Sequence, residues 1–141
     1  MVIAVDFDGT CVTHEFPKVR KDIGAVPILK ELLDKGHKII LYTMRSHSNG
    51  EKGNIDRNGN EITTDTLEDA INWFNRNNIP LWGINENPKQ KEWTSSAKIF
   101  AHIYIDDAAL GTPLKYNDGV LSRPYVDWGK MKNLLKIKGV L

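Results

Sequence analysis

Val2 to Val5 is an unbroken apolar run, rich in β-branched residues, that ends at Asp6. A strand with one wet face alternates polar and apolar residues. A run with no alternation reads instead as a strand buried on both faces of a parallel sheet. The following sequence fits that architecture. Ala25, Ile28, Leu29, Leu32 and Leu33 recur at helical spacing, with Pro27 in the first turn and Gly36 behind the last. Lys38 to Tyr42 is a second short β-rich run, ending at Thr43. Asp65 and Glu68 make a capping-box-like pair ahead of the stripe Leu67, Ala70, Ile71 and Phe74, and Asn77, Asn78 and Pro80 close that helix. Leu81 to Ile84 and Ile103 to Ile105 read as a third and a fourth strand. A last helix is expected from about Asp127 to Lys138, burying Trp128, Met131, Leu134 and Leu135.

Strands alternating with helices imply right-handed crossovers and a mostly parallel central sheet covered on both faces. The expected fold is therefore α/β, a three-layer α/β/α Rossmann-like arrangement. At 141 residues the chain suits one domain, 1–141, with a loop insertion at about 45–63 that is rich in glycine, asparagine and charge. Its apolar share of 40% and charged share of 26% place it with soluble globular proteins. A net charge of +1 gives no electrostatic footprint for nucleic acid or anionic lipid. Cys11 is the single cysteine, which excludes an intramolecular disulfide and a multi-cysteine metal site and fits a reducing compartment. No apolar run approaches the roughly 20 residues of a membrane span, and the apolar start meets Asp6 too soon for a signal peptide. A cytoplasmic protein with no membrane partner is the expectation.

In parallel sheets ligands bind beyond the carboxyl ends of the strands. The polar residues at those ends are Asp6 and Asp8, then Thr43, then Asn85 and Glu86, then Asp106 and Asp107. Four aspartates gathered at one edge repel each other unless a cation intervenes, and oxygen-only ligands favour Mg²⁺. For any one of them, a turn residue is the plainer explanation.

Asp6-Phe7-Asp8-Gly9-Thr10 after an apolar strand resembles motif I of the haloacid dehalogenase-like (HAD) superfamily of phosphohydrolases. Thr43 looks like its motif II, Lys98 stands where its motif III lysine belongs, and Asp106-Asp107 looks like its motif IV, although Ile105 stands where many members have glycine. The resemblance implies a Mg²⁺-dependent phosphatase in which Asp6 is the nucleophile and forms an aspartyl-phosphate, while Asp8 is general acid and then general base. It further implies that Thr43, the Met44 amide and Lys98 bind phosphate, with Lys89 and Lys91 as alternatives to Lys98. Asp6, the Asp8 carbonyl, Asp106 and Asp107 would hold the metal, one of the Asp106-Asp107 pair directly and the other through water, with Asp106 favoured as the direct ligand.

Members acting on small metabolites usually carry a cap domain. Here the stretch from Asp8 to Thr43 is used by a turn, a helix and a strand, and that from Thr43 to Lys98 by a helix, a strand and two loops, so no cap is expected. An uncapped site is open to macromolecular phosphorylated substrates, or to a small one covered by an oligomer partner. The loop at 45–63 could serve as a partial lid or a mobile surface loop, and Arg45 is a candidate contact for an acidic substrate group. The same loop fails an EF-hand pattern, which would place Asp65 rather than glutamate at its last ligand position. His14 and His47 fall in loops expected to face the site, with no catalytic role assigned. Alternatives to the phosphatase are a phosphotransferase using the same aspartyl-phosphate and a non-catalytic binding module of the same fold.

Overall fold

All four apolar runs become strands of one parallel sheet: β1 (Val2–Val5), β2 (Lys38–Leu41), β3 (Gly83–Ile84) and β4 (Ile103–Ile105), in the order β3-β2-β1-β4. The structure is a computed structural model that describes residues 1–47, 55–56, 58–62, 64–116 and 123–141. β1 lies between β2 and β4, so Ile3 is aligned with Ile39 and Ile103, and Val5 with Leu41 and Ile105. Such a position explains the missing alternation, because both faces of β1 are covered.

The helices α1 (Ala25–Asp34), α2 (Thr66–Arg76) and α3 (Trp128–Ile137) share one core with the odd-numbered strand residues. Ile3, Val5, Ile39, Leu41 and Ile105 cluster there with Leu29 and Leu32 of α1, Ala70 and Phe74 of α2, and Met131 and Leu135 of α3. Asp65 caps α2 as its sequence predicts, its carboxylate accepting from Glu68 N at 2.8 Å. Asp127 does the same for α3 through Lys130 N at 3.1 Å.

Ala4 and Ile40 have the opposite parity and are also buried, outside that cluster. The chain crosses this second face on its way from β3 at one edge to β4 at the other. Its cover is a 3₁₀ turn, Gln90–Glu92, and the irregular segment that follows. Gln90 holds that segment together, donating to Ser96 O and Lys98 O and accepting from Phe100 N. Tyr104 of β4 donates to Ile99 O from below. The chain thus has a small Rossmann-like α/β fold whose second outer layer is thin, with no α-helix ahead of β4.

Two short strands are not foreshadowed in the sequence, β5 (Leu114–Lys115) and β6 (Tyr125–Val126), which pair antiparallel. Two residues cannot show a period. Their effect is nevertheless large, because Val126 N donates to Gly9 O at 2.8 Å and pins β6 against the turn after β1. Within the loop at 45–63, Ile55 bridges Glu61 and the Asp56 carboxylate closes the turn on the amides of Asn58 and Asn60. Positions 48–54, 57 and 63, on which a lid role depends, lie outside the described residues. No helix is long and apolar enough to cross a membrane among the described residues.

Phe74 is fully buried and meets the rings of Phe7 and Trp73 at centroid distances of 6.1 and 5.0 Å. Phe74→Ala should cost about 3–5 kcal/mol, read as a lowered urea midpoint with unchanged denaturant slope.

Candidate functional site

Because the strands are parallel, the ladder between β1 and β4 continues past their ends: Asp6 N donates to Ile105 O at 2.9 Å, which sets Asp6 beside Asp106 and Asp107. Asp6, Asp106 and Asp107 each offer a carboxylate oxygen within 4.8 Å of the other two, the one such acidic cluster among the described residues. Gly9 makes room for it. Its φ is 78°, and a Cβ there would stand 2.5 Å from Asp107 Oδ2. Thr10, fully buried, joins the two strand ends: its hydroxyl donates to Asp6 Oδ2 at 3.4 Å and accepts from Asp107 N at 3.0 Å. The indole N–H of Trp128 in turn donates to Thr10 O at 2.7 Å.

Burial pushes the Asp6 carboxyl up to about 7, with Asp106, Asp107 and Asp8 adding repulsion. Burial also raises Asp107, again with Asp106 contributing. A divalent cation fits these donors: three hard oxygens of like charge converge within 4.8 Å of one another. Cys11, fully buried with its thiol directed to Asp6 O, is pushed up by burial and stays a thiol.

Asp8 is on the same cavity but in a different environment. Arg45 grips it in a bidentate pair, Nε to Oδ2 at 2.7 Å and Nη2 to Oδ1 at 2.8 Å. The remaining guanidinium donors go to Pro17 O, Thr66 O and Lys18 O. All five N–H groups are thereby occupied, and the plane lies against the rings of Phe7 and Phe16. Arg45, a candidate substrate contact from its sequence position, therefore has no donor left for an acidic ligand group. It is buried, and its task is to hold Asp8.

The cavity measures about 450 Å³ and is lined by Asp6, Asp8, Asp106 and Asp107 together with Thr43, Met44 and Phe16. Thr43 N donates to Asn85 Oδ1 at 2.8 Å, so the residue after β3 fixes the second residue beyond β2. The Met44 amide makes no hydrogen bond among the described residues, and its side chain is fully exposed at the mouth. Asn85 and Thr43 thus arrive where the parallel sheet should bring them. Glu86 turns into a separate cavity with Lys91, 3.8 Å from its ammonium.

Lys98 is a correction. It belongs to the cover on the far face of the sheet, its ammonium 5.9 Å from the Tyr104 ring centre, and it does not line the acidic cavity. The physical reason is the missing helix ahead of β4, which leaves Gln90 to hold the backbone of Lys98 in an irregular segment. Lys89 and Lys91 do not line the cavity either. Two residues not assigned to the site in sequence do, His14 and Arg123. Arg123 Nη1 donates to His14 Nε2 at 2.9 Å. Burial, then the Arg123 charge, lowers the His14 imidazole below its usual range. His14 could be suspected from its loop; Arg123 had no signal, because the β5–β6 pair that places it is too short to read.

No protein-family model and no curated protein sequence matches the chain. A solved structure of a conserved protein coded by a locus of Bacteroides thetaiotaomicron is similar to it, with 29% sequence identity and a TM-score of 0.67 over 98% of this chain and 91% of that one. The shared fold therefore extends over nearly the whole length of both.

Two outcomes follow. Arg45→Ala leaves a part-buried carboxylate and three carbonyls without their donor and should cost about 3 kcal/mol in urea denaturation, with Arg45→Lys recovering only part. Asp6 binds its proton more tightly folded than unfolded, so without divalent cation stability should fall as pH rises from about 4 through 7. Asp6→Asn should flatten that slope and raise the melting temperature at pH 8 by roughly 5 °C or more; both are read by thermal melts across pH.

Proposed function

We propose that the chain is a Mg²⁺-dependent phosphomonoesterase working through an aspartyl-phosphate on Asp6. The observation that carries this reading is the convergence of the Asp6, Asp106 and Asp107 oxygens within 4.8 Å, beside an Asp8 carboxyl fixed by Arg45. The likeness of residues 6–10 to the first motif of HAD-like phosphohydrolases supports it. Held by those three carboxylates and the Asp8 carbonyl, Mg²⁺ would neutralise charge on the phosphoryl group and on Asp6.

An Asp6 oxygen attacks phosphorus in line as the bond to the leaving alcohol breaks, and Asp8 gives its proton to the departing oxygen. Water then attacks the phosphorus of the aspartyl-phosphate and passes a proton to Asp8. Inorganic phosphate leaves, and Asp6 is regenerated as a carboxylate. Arg45 orients the Asp8 carboxyl plane, and each Asp8 oxygen keeps a further lone-pair position for this proton traffic. The Met44 N–H and the Thr43 hydroxyl are available to the phosphoryl oxygens at the cavity mouth.

One observation favours a second reading, a module that binds a phosphorylated ligand without turnover. Asp8 receives two guanidinium N–H bonds, which hold it as an acceptor rather than as a source of protons. Hydrolysis of p-nitrophenyl phosphate and a panel of phosphate esters, with and without Mg²⁺, separates the two. The phosphatase reading expects Mg²⁺-dependent release of phosphate that Asp6→Asn lowers by at least about 10³-fold while the fold is retained. Wild-type turnover in Asp6→Asn, or binding without turnover across the panel, rules it out.

A further inference from the structure

A phosphoryl dianion entering a cavity with four carboxylates needs fixed positive charge from the protein as well as a cation. Among the described residues, the candidate lysines stand elsewhere, and two arginines line the cavity, Arg45 and Arg123. Arg45 has every donor occupied. Arg123 is exposed, and His14 is its one hydrogen-bond partner among the described residues.

Resting on the phosphohydrolase reading, we propose that Arg123 is the residue that receives the phosphoryl oxygens of the substrate, in the role that Lys98 does not fill. Its placement is specific. Pro124 follows it, with a fixed φ and no N–H, and β6 then docks through Val126 N on Gly9 O, the turn that carries Asp6 and Asp8. Arg123 is therefore tethered within three residues of the backbone that delivers the nucleophile. His14 completes the arrangement. Guanidinium can only donate, so the imidazole Nε2 accepts, and one N–H of Arg123 is held while the others have no partner among the described residues. A planar fork with free donors suits a tetrahedral dianion better than the point charge of a lysine.

The test uses inorganic phosphate as the probe, titrated in the presence of Mg²⁺ by isothermal calorimetry on the wild type, Arg123→Ala and Arg123→Lys. Arg123→Ala should weaken phosphate binding by about 10-fold or more, with Arg123→Lys intermediate and with Mg²⁺ affinity in the absence of phosphate within about twofold of wild type. Circular dichroism controls for folding, which an exposed side chain should not disturb. Equal phosphate affinity in Arg123→Ala, or no phosphate binding by the wild type, overturns the assignment. If Asp6→Asn abolishes turnover while Arg123→Ala leaves kcat/KM and phosphate affinity intact, this assignment fails and the phosphatase reading stands. If no ester is turned over but phosphate binding still depends on Arg123, the reverse holds.

Discussion

One guanidinium ties together four separate parts of this chain. Arg45, four residues beyond β2, bonds to Asp8 after β1, to the carbonyls of Pro17 and Lys18 in the loop before α1, and to the first residue of α2. A buried ion pair contributes little net stability when its desolvation is counted. Its value lies in position, because the Asp8 carboxyl cannot turn without leaving a guanidinium that those segments hold in place. Asp6 and Asp8 thereby acquire opposite surroundings. Asp6 faces other acids and is pushed up to about 7, whereas Asp8 faces a saturated cation.

That difference is what the proposed phosphoryl transfer would require of two carboxylates separated by one residue. An electrophile-seeking group benefits from a neighbourhood that a cation can enter, and a proton-handling group benefits from a fixed orientation. Gly9 and Thr10 make the separation possible within a single turn, the first by leaving space for Asp107 and the second by bonding to both strand ends.

The sheet and the acids are legible in the sequence because both depend on local signals. Unbroken apolar runs mark strands covered on two faces, and parallel strands deliver their next residues to one edge, so the residue order alone gathers Asp6, Asp8, Thr43, Asp106 and Asp107 there. The positive charges are not legible in the same way. Arg45 sits beside Thr43 in sequence, yet whether it faces outward or inward depends on three carbonyls from distant segments. Lys98 lies at a plausible distance before β4, but the intervening segment is held by Gln90 instead of by a helix, and this carries the lysine to the other face. Arg123 depends on two-residue strands that have no period at all.

The sheet order has one more consequence. β4 is an edge strand bonded to β1 alone, and Asp106 and Asp107 of the acidic cluster follow directly from it. Asp6 and the Asp106-Asp107 pair stand about 100 residues apart in the chain, at opposite ends of most of the fold. Without a counter-charge their repulsion acts across the β1–β4 seam, prising the edge strand away. A cation held there, as the proposed function requires, would reverse the sign of that force and act as a clasp on a loop closure that encloses most of the molecule. Occupancy of such a site and the cohesion of the sheet would then be a single equilibrium, most visible in amide exchange along β4.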